Sequence, residues 1–341
     1  MSRDSIWISL RLHRFELITL GLTALAAIGA ALWVSLSLDG LRLAHNCVID
    51  PAGVSYGGSF SGSFSGPFGG PQDPLCDKVL QDFSNISYSQ GTVVSLFLNM
   101  LPVVAGLILG ASVVGREVER GTTRLAWSLT PARLPWFVAR AIPILIVLTI
   151  VSIAIGLAAD RLTMARNPGL DIGAAFLQNG ERGLPVAGRA VAAYGLAVMT
   201  GAVLGRELPG LVFALIGLIA VLIGTAKLDD AFLRTETIAR DSTGQYAGDL
   251  YMDQKFRMPD GRVLSWDEAF PQGRSIDEQG NPVDEQGNPV APSELPTQID
   301  IVVPGERYGF ASARNAGEFA LVGIAGLVLA AGAAARRGPG T

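Results

Sequence analysis

The sequence predicts an all-α polytopic membrane protein with six transmembrane helices. Of the 341 residues, 49% are hydrophobic and only 16% are charged, a composition too apolar for an ordinary soluble domain. Six long apolar runs come close to the roughly 20 residues that a helix needs to cross a bilayer. They should be helical, because lipid offers no hydrogen-bond partners to backbone N–H and C=O groups. The runs are 17–38, 92–114, 141–159, 186–204, 208–226 and 319–335.

Two other interpretations of these runs fit less well. Six buried helices of a soluble protein would be expected to show polar faces, which the runs lack. Residues 17–38 are longer than the apolar region of a signal peptide, and no small-x-small cleavage site follows them. We therefore interpret residues 17–38 as the first of five spans within 17–226, and residues 318–341 as the sixth span with a short tail.

The distribution of Arg and Lys predicts that both termini lie in the cytoplasm. With the N-terminus inside, the four inner segments carry 11 Arg or Lys in 51 residues, whereas the two short outer segments carry 6 in 83. This difference has the sign that the positive-inside rule requires. The inner segments are 1–16, 115–140, 205–207 and 336–341, and the outer segments are 39–91 and 160–189.

A large acidic loop, residues 227–317, separates the fifth and sixth predicted spans and is extracellular in this topology. Its 16 Asp or Glu and 9 Arg or Lys give it a net charge of −7. It contains DEQGNPV twice in tandem at 277–290, and Gly-Asn-Pro is typical of turns. Aromatic and β-branched residues before and after the repeat would allow a small folded cap domain, and a disordered loop is the alternative.

The only two cysteines, Cys47 and Cys76, both fall in the first outer loop, residues 39–91. An oxidising exterior favours a disulfide between them. Two free thiols are the alternative, because the sequence does not show whether the two Cα atoms approach closely enough.

The sequence matches no catalytic or metal-binding pattern. Its two histidines, His13 and His45, lie on opposite sides of the predicted membrane, so they cannot share a metal ion or one catalytic triad. GASVVGR at 110–116 has the spacing of a phosphate-binding loop, but Arg replaces the Lys. The apolar runs contain no Asp or Glu, which argues against ion-coupled transport. We expect no enzymatic activity, metal or cofactor in this chain, and the net charge of −4 gives no sign of nucleic-acid binding.

The cytoplasmic segment 115–140 begins with GREVERGTTRLAW, a dense group of charges directly after the second predicted span. Arg116, Arg120 and Arg124 would lie on one face if that span continued as a helix. Gly121 would then end the helix, and a second short amphipathic helix could follow it before Pro131. A helix at this turn could transmit movement to the two spans that it connects. The alternative is that the Arg and Trp residues only anchor the chain at the membrane surface.

This segment carries a family resemblance. LPVVAGLILGASVVGREVERGTTRLAWSLTPARLPWFVARA, residues 101–141, resembles the second span, the cytosolic coupling segment and the start of the third span of ABC-2-type transporter permeases. WISLRLHRFE at 7–16 resembles the N-terminus of one subgroup of that family. Residues 194–218 resemble its fourth and fifth spans with their tight inner turn.

The resemblance implies a type V exporter-like architecture and a permease subunit in the bacterial plasma membrane. Transport would be powered by two copies of a separate cytosolic ABC ATPase, which would bind the ATP and Mg. A second permease copy, identical or related, would complete the assembly within the membrane lipid, and residues 1–16 would form an interfacial amphipathic helix. The implied ATPase-coupling residues are Glu117, Glu119, Arg120, Gly121, Thr122 and Arg124.

Alternating access in such a dimer would open a translocation path between the protomers. The second span would tilt at Pro102, and Ser95, Asn99, Tyr194 and Thr200 could face the path. Hydrogen bonding between helices is an equally good explanation for these polar residues. An alternative function from another class is a non-transporting membrane scaffold or sensor whose outer loop binds a ligand.

Overall fold

A computed structural model describes residues 11, 13–45, 74–119, 133–241, 248–265, 268, 275–276, 282–283 and 296–336. Within these residues, six helices are long and apolar enough to cross a membrane. The prediction of six candidate membrane spans is therefore confirmed.

Seven α-helices make up most of the described chain, and all except the second contain one of the six apolar runs. The first three are α1 (Arg14–His45), α2 (Pro74–Asn85) and α3 (Thr92–Glu119), with a π-helix at Ile86–Gly91 leading directly into α3. The next three are α4 (Arg133–Arg166), α5 (Leu184–Leu204) and α6 (Glu207–Thr235), with a short 3₁₀ helix at Ile172–Ala174 between α4 and α5. The last is α7 (Tyr308–Arg336), which a 3₁₀ turn at Gly305–Arg307 precedes.

The helices extend beyond the apolar runs and therefore carry charged residues near their ends. Several of these residues form ion pairs that join neighbouring segments. Arg182, only 2% exposed, donates to Asp160 of α4 at 3.1 Å. Arg161 of α4 pairs with Asp39 of α1. Asp160 and Asp39 are thus each paired with an arginine. This is expected near a membrane boundary, because an unpaired charge with little access to water is energetically costly.

Helix α5 occupies the centre of the helical unit. In its most apolar window 72% of the residues are buried, against 22% in α1 and in α6. Glycine lets two backbones approach α5 closely, as small residues do in membrane helix pairs. A Cβ built on Gly195 would lie 2.1 Å from the carbonyl oxygen of Gly323 in α7, and one on Gly110 of α3 would lie 2.5 Å from that of Tyr194.

Three apolar clusters fill the space between the helices. The first surrounds Tyr194 and joins α1, α3, α4, α5 and α7. The second joins α1 to α4 and includes Phe83 of α2, and the third joins α3, α5, α6 and α7. Large apolar side chains of α1 and α6, such as Trp33 and Ile216, point outward and are exposed. Outward apolar faces of this kind suit contact with lipid.

The chain divides into two compact units. The helical unit contains residues 1–172, 178–229 and 309–341, and the second unit contains residues 173–177 and 230–308. In the second unit, four strands form an antiparallel sheet in the order β1-β6-β2-β3. The strands are β1 (Ile238–Asp241), β2 (Leu250–Arg257), β3 (Val263–Leu264) and β6 (Thr297–Val303).

The described part of the acidic segment between α6 and α7 thus contains a folded sheet. Its core contains Phe256 and Ile299 of the sheet, together with Phe176, whose ring meets that of Tyr308 edge-on at 5.6 Å. A second small pair of strands, β4 (Ser275–Ile276) and β5 (Pro282–Val283), includes the last two residues of the first DEQGNPV copy. The rest of the tandem repeat lies outside the described residues.

Candidate functional site

Arg116 joins three helices at the point where α3 reaches the charged segment. It lies in the last turn of α3, and its Nη1 lies 3.0 Å from Oε1 of Glu16 in the first turn of α1. Its Nε lies 3.3 Å from Oε2 of Glu207, the first residue of α6. One guanidinium therefore connects the start of α1, the end of α3 and the start of α6. We call this arrangement the Arg116 cluster.

Glu16 is the acceptor at the centre of the Arg116 cluster. Its Oε2 lies 2.7 Å from Nδ1 of the buried His13 and also accepts a hydrogen bond from Oγ of Ser112 at 3.3 Å. A carboxylate in the first turn of a helix is further stabilised by the helix dipole. Glu16 is therefore held in place by several donors, and loss of any one of them would leave the others.

Glu119, the last residue of α3, also contacts the start of α6. Its Oε2 accepts a hydrogen bond from the backbone N–H of Glu207 at 3.1 Å. The first N–H groups of a helix lack partners within that helix, so Glu119 caps α6 from outside. The backbones are also close here, because a Cβ on Gly115 would lie 3.2 Å from Cα of Glu207.

Partial exposure limits the energy of these contacts. The side chain of Arg116 is 41% exposed, and those of Glu16 and Glu207 are 22% and 30% exposed. Ion pairs exposed to this degree are screened by water and each contribute about 1 kcal/mol or less. Their main effect is therefore to fix the register of the three helix ends.

The structure locates only part of the predicted ATPase-coupling segment. Glu119 is brought against Glu207, and Glu117 lies in α3 although its side chain is not described. Arg120, Gly121, Thr122 and Arg124 lie outside the described residues, as does the second short helix predicted to follow them. Their coupling role stays a prediction.

The partners of Arg116 were not foreseen from the sequence. About one hundred positions separate Arg116 from Glu16, and about ninety separate it from Glu207. The available signal was that all three lie on the predicted cytoplasmic side, at the boundary of an apolar run. That signal gives the depth in the membrane but not which helices are neighbours.

Tyr194 and Thr200 of α5, two of the residues predicted to line a path, form contacts between helices. The Tyr194 side chain is fully buried, and its hydroxyl donates to the carbonyl oxygen of Ala141 in α4 at 2.7 Å. The Thr200 hydroxyl lies 2.8 Å from the carbonyl oxygen of Gly210 in α6. Both contacts are hydrogen bonds between helices, which the sequence analysis gave as the alternative to a place in the translocation path.

The other three path candidates lie on α3 and are buried. The Nδ2 of Asn99 donates to the carbonyl oxygen of Ser95, one turn earlier, at 3.0 Å, while its Oδ1 has no hydrogen-bond partner. Pro102 lies inside the helix, where it removes one backbone hydrogen bond and favours a bend. A part in translocation stays a prediction for all five residues.

The predicted disulfide and the absence of metal are not decided by the structure. Cys76 lies in α2, whereas Cys47 lies outside the described residues, so their pairing stays a prediction. Among the residues that the structure describes, His, Cys, Asp and Glu form no group of three that could hold a metal ion.

Comparison with known protein families matches the middle part of the chain. Residues 59–228 match a family described as ABC-2 membrane transporter related. No curated protein and no solved structure matches the chain. The matched region contains α3, α4, α5 and most of α6, and hence Arg116, Glu119 and Glu207. Residues 59–228 of this multi-pass membrane protein thus form an ABC-2 membrane transporter related domain, and the six apolar helices among the described residues are consistent with an ABC-2-type permease.

Proposed function

We propose that the chain is the permease subunit of an ABC exporter, moving a substrate out of the cell by alternating access. A separate cytosolic ATPase would supply the energy, and this chain would hydrolyse no ATP itself. The family match supports a transporter permease component. The proposed topology, with both termini in the cytoplasm of a bacterial plasma membrane, follows from the distribution of Arg and Lys.

The Arg116 cluster is the observation that carries this proposal. It lies directly before residues 120–132, the segment that we propose contacts the ATPase. A force applied to that segment would reach α1 through Glu16 and α6 through Glu207 as well as α3 itself. A single contact with the ATPase would thereby move three helices together. Alternating access requires such a joint movement, because the path must close on one side of the membrane and open on the other.

The complete transporter would contain two permease copies and two ATPase copies. Among the proposed coupling residues, Glu119 is engaged with α6, so it would anchor the segment. Glu117, Arg120 and Arg124 would contribute the charges that face the ATPase. Complementary charges at an interface set the register and the choice of partner.

Capture of the chain from its native membrane tests the proposal. The tagged chain, solubilised in mild detergent, should retain an ABC ATPase, and the complex should hydrolyse ATP. The chain expressed alone should show no ATPase activity. Replacing the phosphate-binding Lys of the captured ATPase should abolish the ATPase activity of the complex. ATP hydrolysis by the lone chain would contradict the proposal that a separate subunit hydrolyses the ATP. Capture without any ATPase would favour the scaffold or sensor instead.

A further inference from the structure

A second group of charged and polar side chains lies between α5, α6 and α7, separate from the Arg116 cluster. It contains Arg189 of α5, Asp229 of α6, and Arg314, Asn315 and Glu318 of α7. Asp229 accepts from Nη2 of Arg314 at 2.7 Å through Oδ1 and from Nδ2 of Asn315 at 2.8 Å through Oδ2. Both carboxylate oxygens of Asp229 are therefore already engaged. We call this group the Arg189–Glu318 cluster.

Two acceptors in this cluster have no donor. Asn315 is only 6% exposed, and its Oδ1 has no hydrogen-bond partner, although its Nδ2 is fixed by Asp229. Oε2 of Glu318 is likewise buried without a hydrogen-bond partner, whereas its Oε1 pairs with Nε of Arg314 at 3.8 Å. Residues three apart in a helix share a face, so Asn315 and Glu318 project from the same side of α7. Neither can donate to the other while Glu318 is ionised, and a donor from outside the chain would satisfy both.

A donor without an acceptor lies on α5 where it packs closely against α7, since a Cβ on Gly188 would lie 2.7 Å from the carbonyl oxygen of Ala316. Nε of Arg189 is buried and has no hydrogen-bond partner. The Arg189 guanidinium lies over the ring of Phe319, 5.7 Å from its centroid, and Phe319 directly follows Glu318. Within the described part of the chain, no carboxylate comes within ion-pair distance of this guanidinium. Glu181 and Asp229 act on its charge only from farther away, and a largely desolvated cation without a directly bound anion is energetically costly.

We propose that the Arg189–Glu318 cluster binds a zwitterionic head group that carries a primary ammonium and a phosphate. The ammonium has three N–H donors, enough for Oε2 of Glu318 and Oδ1 of Asn315. The phosphate accepts from the guanidinium of Arg189, a charge-assisted contact that arginine favours. The ring of Phe319, which directly follows Glu318 in the chain, lies 5.7 Å from Cζ of Arg189. The same chemistry is present in phosphatidylethanolamine and in soluble phosphoethanolamine.

Retention of lipid by the full chain in nanodiscs tests the assignment of the ammonium. Native mass spectrometry should find phosphatidylethanolamine retained about tenfold more strongly than phosphatidylcholine, whose quaternary nitrogen has no N–H to donate; tenfold corresponds to about one charge-assisted hydrogen bond. Displacement of the lipid by soluble phosphoethanolamine would identify a soluble zwitterion as the source. Retention that resists this competitor would identify the lipid.

Two variants separate the halves of the site. Glu318→Gln should abolish the preference for phosphatidylethanolamine without weakening phosphatidylcholine, whereas Arg189→Gln should weaken both lipids alike. Asp230→Asn, which removes the neighbouring carboxylate that pairs with Arg234, should change neither. Should Glu318→Gln fail to fold, Asn315→Ala tests the ammonium half. Equal retention of the two lipids by the wild type, or unchanged retention in Arg189→Gln, would mean that the cluster binds only water and would overturn the proposal.

Discussion

Replacing Arg116 by Gln should uncouple the transporter while leaving it folded. The substitution removes the ion pairs with Glu16 at 3.0 Å and with Glu207 at 3.3 Å. Because Arg116 is 41% exposed, each pair contributes about 0.5–1 kcal/mol, so we expect a loss of about 1–2 kcal/mol of stability. Glu16 keeps its contacts with His13 and Ser112, which limits the damage.

Thermal unfolding in nanodiscs, combined with double-mutant cycles, measures this loss. Combining Arg116→Gln with Glu207→Gln should give a coupling energy of about 0.5–1 kcal/mol that falls as salt increases. The matched control combines Arg116→Gln with Asp39→Asn. Asp39 pairs with Arg161 at the other end of α1, so the two effects should add.

ATP hydrolysis by the complex with its ATPase supplies the functional measurement. Arg116→Gln should keep the ATPase bound but weaken stimulation of hydrolysis by the substrate, because α1 loses its ion pair with α3 and α6 keeps only the contact through Glu119. A coupling energy of zero would show that the ion pair with Glu207 has no role. Normal stimulation, or stimulation lost only in proportion to stability, would refute the argument that Arg116 transmits force.

Three further predictions concern other parts of the chain. Glu117→Ala and Arg120→Ala should each abolish export while leaving expression and thermal stability unchanged; normal export in both would mean that the segment is only a membrane anchor. Cys47 and Cys76 should be linked, contributing about 3 kcal/mol by the chain-entropy argument, and non-reducing mass spectrometry that finds two free thiols would reject this. Gly195→Ala should lower the free energy of unfolding by about 1–3 kcal/mol, because the added methyl would meet α7 at 2.1 Å; an unchanged melting temperature would contradict the close packing.

The sequence was sufficient to predict the membrane helices because apolar length is a local property. Each apolar run became a helix, but the boundaries moved outward, for example from 92–114 to Thr92–Glu119. A helix does not have to end where the lipid ends, since its backbone hydrogen bonds continue equally well in polar surroundings. The extra turns place Arg116 and Glu119 on α3, where they contact α1 and α6.

The contacts between helices could not be predicted in the same way. Hydropathy does not distinguish an outward face from an inward one, so Tyr194 was a candidate for a path although its hydroxyl binds Ala141 in the core. The Arg189–Glu318 cluster was missed for a related reason. Arg189 lies within the apolar run 186–204, and its neighbours come from α6 and α7, far away in sequence.

Site-specific photocrosslinking in cells of the native host tests the central claim most directly. A photoreactive amino acid at Thr122, within the proposed ATPase contact, should crosslink to an ABC ATPase. The same amino acid at Gln178, between α4 and α5 and predicted to lie on the other side of the membrane, should not. Crosslinking to the ATPase from Gln178, or none from Thr122 when the ATPase is present, would contradict the proposed coupling site and its topology.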